Sequence, residues 1–374
     1  MRQDSQRRVL VVCGTRPEAI KLAPVLDALA AAPTLAPRLC VTGQHRDMLD
    51  QMLAVFGLTP DHDLAIMQPD QDLADVTART LVGLRDVLAA ERPAALLVQG
   101  DTTSALAGAL AALYAHVPVG HVEAGLRSGR IDQPFPEEMN RRLVTQLATW
   151  HYAPTAAAAA HLAGAGVDAA RVVVTGNTVV DALRSVAARP LPLPAAVPEA
   201  WLAGRRLLLV TGHRRESFGA GLAGLCAALT ALVAAHPDVV VVYPVHRNPA
   251  VDGPVRAALA GQPRVRLTDP LDYLAFVALL RRAYLVITDS GGVQEEAPSF
   301  GVPVLVTRAT TERGEAIAAG TARLVGTDRD AIVAAAAALL DDPAAHAAMH
   351  AAVNPFGDGH AAARIVAHLA GALA

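Results

Sequence analysis

Short unbroken runs of Val, Leu and Ile recur along this chain, and between them lie Ala-rich stretches long enough for helices. The runs are RVLVVCG, PAALLVQGD, VPVGHVEAG and RVVVTGN in the first half, then RLLLVTGH, DVVVVYPVH, AYLVITDSGG and VPVLVTR. A strand that is apolar on both faces must be covered on both faces, and strands separated by helices join in parallel. The pattern therefore demands an α/β fold. It is interrupted once, at ARPLPLPAAVPEAWLAG (residues 188–204), where prolines break the periodicity. A chain of 374 residues is long for one core. We therefore read this segment as a linker between two doubly wound lobes, with ligand expected in the cleft between them, beside the carboxyl ends of their strands.

Charge and composition narrow the ligand. A net charge of −3 and 3% aromatic residues provide neither a basic field nor stacking platforms, so nucleic acid is not an expected partner. An anionic ligand must be met locally, by Arg, Lys and helix ends. Cys13, Cys40 and Cys226 are odd in number and far apart, which fits neither a disulfide framework nor a zinc site and points to a reducing compartment. The N-terminal MRQDSQRRVLVVCG lacks the apolar stretch and cleavage site of a signal peptide, so a cytoplasmic protein is expected. FGAGLAGLCAALTALVAA (Phe218 to Ala235) is uncharged and close to membrane-spanning length. Apolar strands flank it on both sides, which predicts a buried helix and no membrane partner.

The polar clusters follow the strands. In CGTRPEAIKLAP, Gly14 stands alone, without the GxGxxG that brings backbone to a dinucleotide pyrophosphate. Arg16 and Lys21 near a helix start suit a phosphate, although an ordinary strand-to-helix turn also explains them. In QGDTTS, Asp101 is either a helix cap or a functional carboxylate. GHVEAGLRS packs His121, Glu123 and Arg127 into a Gly-flanked loop, and QPFPEEMNRR brings Glu137, Glu138, Asn140 and Arg141 to a Pro-led helix start. TGHRRESFG and YPVHRNP place His213 and His246, each followed by arginine, after neighbouring strands, an arrangement for an anion. In VITDSGGVQEEAPSFGVPVLV, Ser290, Gly291 and Gly292 let backbone N–H groups approach a diphosphate, although a Gly-rich turn with favourable N-terminal carboxylates also explains them. Glu295 or Glu296 is placed to accept from ribose hydroxyls, and Arg308 and Arg313 stand ready to close the site. His, Asp and Glu show no compact metal-ligand spacing, so no metal is expected.

Together GTRPEAIKLAP, TGQHRDML, QGDTTS, HVEAGLRS, PFPEEMNR, TGNTVVDAL, TGHRRESFG, YPVHRNP, DSGGVQEEAP and TERGEA, in order from about residue 8 to 327, closely resemble the bacterial non-hydrolysing UDP-N-acetylglucosamine 2-epimerases. The resemblance implies the GT-B architecture, two Rossmann-like parallel-sheet domains with the active site in the cleft between them. Residues 1–180, completed by a C-terminal helix over about 357–374, would form the N-terminal domain, and 181–356 the UDP-binding domain. The implied reaction interconverts UDP-GlcNAc and UDP-ManNAc, without a cofactor, for surface polysaccharides, in a homodimer. It proceeds by elimination of UDP to 2-acetamidoglucal and re-addition.

Residue by residue, the likeness implies UDP contacts from Arg16, Lys21, His213, Phe276, Ser290, Gly291, Gly292, Glu296 and Arg313. It makes Asp101, Glu123 and Glu137 the catalytic carboxylates, with His213 in the catalytic set and Arg141 and His246 nearby. Gln44 and Arg46 resemble part of an activating site for a second UDP-GlcNAc. Three places depart from the family pattern: Leu271 where a polar uridine contact is usual, Gly314 in place of proline, and QPDQDL (Gln68 to Leu73).

Overall fold

The computed structural model describes residues 6–374 apart from 44, 45, 69, 213, 215 and 216, with backbone alone at 46 and 47. The chain divides into two compact units, Met1–Ser185 with Phe356–Ala374, and Val186–Pro355. The Pro-rich segment 188–204 thus opens the second unit, and the chain re-enters the first at Phe356.

The first unit holds a seven-stranded sheet made of β1 (Arg7–Cys13), β2 (Leu35–Val41), β3 (His62–Asp63), β4 (Ala95–Gln99), β5 (Val119–Val122), β6 (Trp150–Ala153) and β7 (Val172–Val174). Its order is β3-β2-β1-β4-β5-β6-β7, and every neighbouring pair is parallel. The second unit holds six strands, β8 (Arg206–Thr211), β9 (Val239–Pro244), β10 (Val265–Thr268), β11 (Ala283–Thr288), β12 (Val304–Val306) and β13 (Ala322–Leu324). They run in the order β10-β9-β8-β11-β12-β13, again all parallel. In both sheets the chain starts at the centre, builds outward to one side, then crosses back to build the other. The crossing leaves a crevice beyond the carboxyl ends of β1 and β4, and another beyond β8 and β11, and open α/β sheets bind their ligands there.

Helices cover the sheets as the unbroken apolar strands require: every residue of β4 and β5 is buried. The helix Arg16–Ala31 shows the local logic. Its buried Ala19, Leu22, Ala23, Leu26 and Leu29 recur at helical spacing, Pro17 sits in its first turn, and Glu18 follows at the third position. The uncharged stretch that approached membrane-spanning length is the helix Ala220–Ala235, whose Leu222, Leu225, Leu229 and Leu232 are buried with the strands of the second sheet. Among the described residues no single helix is long and apolar enough to cross a membrane. The last helix, Ala361–Ala372, packs on Arg16–Ala31 in the first unit. Asp181 caps it, accepting from the N–H groups of Ala361 (3.2 Å) and Ala362 (2.9 Å).

Candidate active site

In the first unit, the loops leaving β1, β4 and β5 carry most of the acidic residues singled out above. Asp101 follows β4, but it does not cap the next helix. Thr102 does, its hydroxyl accepting from the Ala105 N–H at 3.0 Å. Asp101 instead meets Arg141, whose Nε donates to Asp101 Oδ2 at 2.9 Å, while the Asn140 amide donates to the Asp101 carbonyl at 2.9 Å. The helix Glu137–Leu147 thus presents Asn140 and Arg141 to the β4 loop.

Its two leading carboxylates differ. Glu138 is fully buried and accepts from Arg141 (3.2 Å), Arg142 (2.8 Å) and the Ser128 N–H (3.0 Å). Burial pushes its pKa up, but the Ser128 N–H, Arg142 and Arg141 outweigh burial and hold it below the usual carboxylate value. Glu137 has one carboxylate oxygen, Oε2, that is buried with no partner among the described residues. An unpartnered buried acceptor is costly, and a donor from a ligand or a proton would relieve it.

Glu123 follows β5 with φ +64, a left-handed backbone uncommon outside glycine and concentrated at functional sites. Lys21, from the first helix, donates to both of its oxygens (2.6 and 2.7 Å), as do the side chains of Gln99 and Asn177 to one each. A Cβ added to Gly100 would lie 3.9 Å from Glu123 Oε2, so this carboxylate stands beside the loop that carries Asp101. Lys21, expected as a phosphate ligand, is thus engaged by Glu123. Arg16 opens the same helix half-buried.

Two further residues belong to this cluster: Glu18, which the sequence reading did not single out, and His121, which it placed in the loop and which lies instead on β5. Glu18 Oε2 accepts from the N–H groups of Gly14 and Thr15, and its Oε1 from the Thr102 hydroxyl, all at 2.6 Å, tying the β1 loop to the β4 loop. Burial raises its pKa against the pull of those donors. His121 is fully buried on β5 and donates through Nε2 to the Gly100 carbonyl at 2.7 Å. Burial pushes its pKa down to about 4, so the ring is neutral and braces the residue before Asp101. Arg127 is likewise turned inward, donating to the Leu126 carbonyl and the Thr145 hydroxyl.

In the second unit, Ser290, Gly291 and Gly292 lie just past the end of β11, where the helix Gly291–Glu296 begins. Asp289, fully buried, accepts from the Arg214 N–H at 2.9 Å and so joins the β8 loop to the β11 loop. Arg313 donates to Glu295 and Glu312 (2.9 and 2.8 Å), and Arg308 to Glu312 at 2.9 Å. Burial raises the Glu312 pKa, but Arg313, the residue's own N–H, Arg308 and Arg214 outweigh burial and bring it down to about 2. A Cβ on Gly291 would lie 3.0 Å from the Arg313 guanidinium carbon, whereas one on Gly292 would meet none of the described residues within 4 Å. Glycine at 291 therefore admits an arginine against the start of the helix, and glycine at 292 faces open space.

Of the two carboxylates expected near ribose, Glu295 is spoken for by Arg313, and Glu296 ends the helix, buried. Phe276 lies half-buried on the helix Tyr273–Arg282, one residue after the turn that Asp272 caps. His246 is exposed beyond β9, its Nδ1 accepting from the Asn248 N–H at 3.1 Å. His213 and Gln44 lie outside the described residues. Arg46 begins the helix Arg46–Phe56. Among the described residues no cluster of His, Cys, Asp and Glu is arranged to hold a metal.

Two doubly wound parallel sheets with polar residues gathered at both crossing points define an α/β protein of the GT-B-like class, and a glycosyltransferase of kitacinnamycin shares the fold at TM-score 0.66 and 15% identity over 99% of this chain and 100% of that one. Residues 27–370 match the family described as UDP-N-acetylglucosamine 2-epimerase, and the chain belongs to that family. It is 51% identical over 365 residues to the UDP-N-acetylglucosamine 2-epimerase of Salmonella typhimurium strain LT2, covering 96% of this chain and 97% of the relative. It also matches the crystal structure of UDP-GlcNAc 2-epimerase from Neisseria meningitidis bound to UDP-GlcNAc, at TM-score 0.88 and 41% identity, covering 97% of this chain and all of that one.

Proposed function

We propose that this protein is a non-hydrolysing isomerase that interconverts UDP-GlcNAc and UDP-ManNAc by inverting C2 of the sugar. The observation that supports the reading, in a member of this family, is that Arg141 holds Asp101 on the β4 loop beside Glu123, while Glu137, which opens the helix carrying Arg141, has its Oε2 buried with no partner among the described residues. The C2 proton is not next to a carbonyl, so its direct removal would leave an unstabilised carbanion. Elimination avoids this: a base takes the C2 proton as the C1–O bond breaks, the electron pair leaves with UDP, and 2-acetamidoglucal remains. Re-addition of UDP with a proton delivered to the opposite face completes the inversion. No redox cofactor is required.

In this reading Asp101 and Glu137 exchange protons at the sugar, and Glu123 stabilises positive character at C1 or shares the proton transfer. Arg141 holds Asp101. Lys21 holds Glu123, and Arg16, His213, Arg313 and the N–H groups of Ser290, Gly291 and Gly292 meet the charge that collects on the departing diphosphate. Phe276 and Glu296 contact the nucleoside, and His246 lies near the diphosphate. The reading includes a cytoplasmic location, in keeping with three free buried cysteines, and a role in supplying ManNAc units for surface polysaccharide. It also includes a homodimer, supported by exposed Leu113, Tyr114, Met139 and Leu143 on two helices of the first unit that pack on each other.

Proton NMR of the purified protein with UDP-GlcNAc in D₂O tests this. UDP-ManNAc carrying deuterium at C2, with little free UDP, is the expected result. Free UDP with ManNAc would mean a hydrolysing enzyme, and an unchanged spectrum would overturn the reading for this substrate.

A further inference from the structure

Both oxygens of Glu123 are occupied, and every partner donates. Lys21 reaches both, Gln99 reaches Oε2, and Asn177 Nδ2 reaches Oε1 at 3.0 Å. Asn177 differs from the other two in how its own backbone is held. Its N–H donates at 2.6 Å to the carbonyl of Phe356, the residue at which the chain re-enters the first unit. Its Oδ1 accepts from the Val179 N–H at 3.1 Å, which fixes which end of the amide faces Glu123. The contact with the returning chain is backbone on backbone. A Cβ on Gly357 would lie 3.2 Å from Gly176 Cα and 3.5 Å from the Asn177 nitrogen, and both glycines have positive φ, +89 at Gly176 and +130 at Gly357. Backbone meets backbone here, so a shift of the Phe356–Gly357 backbone bears directly on Asn177.

We propose that Asn177 is a positioning residue that fixes Glu123 and couples it to the point where the chain returns to the first unit. The proposal rests on the reading that Glu123 acts on the sugar. Glu123 would then be set by three separate elements: Lys21 from the first helix, Gln99 from the end of β4, and Asn177 from the crossing point. Of the three, Asn177 is the one whose backbone is hydrogen-bonded to Phe356 at the junction.

A double-mutant cycle tests this, because a residue that acts only through another has no effect once that other is altered. Asn177→Ala is expected to lower kcat about tenfold or more, the scale of a lost hydrogen bond to a charged group. KM should change little. In a Glu123→Gln background the same substitution should cost less than about twofold, the additivity error of independent sites. Gly357→Ala, which presses a methyl against Asn177, should behave in the same way and provides a second route into the cycle. An equal rate loss in both backgrounds would mean a merely structural role and would overturn the proposal. So would a Gly357→Ala loss that persists in the Glu123→Gln background. Turnover of the unsubstituted protein is measured first, and its absence removes the parent reading instead. The cycle is then read in thermal melting, where a smaller loss of Tm from Asn177→Ala in the Glu123→Gln background upholds the contact and an equal loss overturns it.

Discussion

The two sheets share one strand order, yet their crossing points carry opposite chemistry. Beyond β1 and β4 the polar groups are largely carboxylates, Glu18, Asp101, Glu123 and Glu137, three of them already held by donors from the same unit. Beyond β8 and β11 the fixed features are a glycine pair with open space at its second member and an arginine, Arg313, lying against its first. Topology decides where a site can be, since each crossing opens a crevice at the carboxyl ends of the strands. It does not decide what the site does. In the reading proposed here the first unit is furnished chiefly for proton transfer and the second chiefly for holding an anion, and this division of labour can be attacked directly.

The largest effect should come from the carboxylates. Asp101→Asn and Glu137→Gln keep shape and hydrogen-bonding reach but remove the exchangeable charge, and each should lower turnover by roughly 10²- to 10⁴-fold. UDP affinity, measured by calorimetry, should stay within a few-fold. Near-normal turnover in either variant would take that residue out of the mechanism. A variant that loses UDP along with activity would break the division between the units, because it would make a first-unit carboxylate part of the anion site.

Acid should separate the units next. In the first unit, burial and the neighbouring Arg127 and Arg141 lower the His121 pKa to about 4, and burial, His121 and nearby arginines lower that of His151 to about 3. An unfolded chain takes up these protons near pH 6.5, so each histidine withdraws stability as pH falls from about 6.5, down to about 4 for His121 and about 3 for His151, on the order of 3 kcal/mol for His121. Glu18, whose pKa is raised, acts in the opposite direction. In the second unit Glu312, lowered to about 2, contributes stability above about pH 4.5 that is lost only between about 4.5 and 2.

The first unit should therefore soften first. Trp150 and Trp201, the two tryptophans of the chain, lie one in each unit, so Trp201→Phe and Trp150→Phe variants report the units separately in urea titrations at pH 7.5 and 5. His151→Phe sharpens the test. Its ring is fully buried with neither nitrogen partnered among the described residues. Its replacement should stabilise the first unit by about 1–3 kcal/mol at pH 5 and by less at pH 7.5. Coincident acid softening of both units, or destabilisation by His151→Phe, would break the comparison.

Much of this was legible in the chain itself, because a parallel sheet covered on both faces leaves unbroken apolar runs. The strands that escaped notice explain themselves physically. In β2, LAPRLCV, Pro37 and Arg38 interrupt the run, while HD in β3, WHYA in β6, VRLT in β10 and ARL in β13 are too short and polar to stand out. The site was legible as loops that follow strands, but not as pairings. Asp101 read equally well as a helix cap, and only the structure gives that task to Thr102. Glu137 and Glu138 are indistinguishable as neighbours in sequence, yet a fraction of a helical turn makes one fully paired and leaves an oxygen of the other bare. Glu18 was half visible, since Thr15 to Glu18 has capping-box spacing. Its bond to Thr102, 84 positions away, was not. Long-range partners depend on which loops the topology brings together, and spacing alone does not encode that.

The smallest expected effect tests the anion site at its finest grain. Gly291 and Gly292 are adjacent and chemically identical, but a methyl on the first would press to 3.0 Å from the Arg313 guanidinium, while a methyl on the second would meet none of the described residues within 4 Å. Gly291→Ala should therefore shift Arg313, disturb its pairing with Glu295, and lower both Tm and UDP affinity. Gly292→Ala should leave Tm unchanged. If backbone at this turn closes on the diphosphate, the methyl will still stand in the ligand's way, and UDP affinity should fall several-fold, about 1 kcal/mol. Unaltered affinity in Gly292→Ala would mean that the phosphates do not approach this turn closely. The second unit would then hold its anion by arginine alone, and the contrast with the first unit would rest on side chains rather than on backbone.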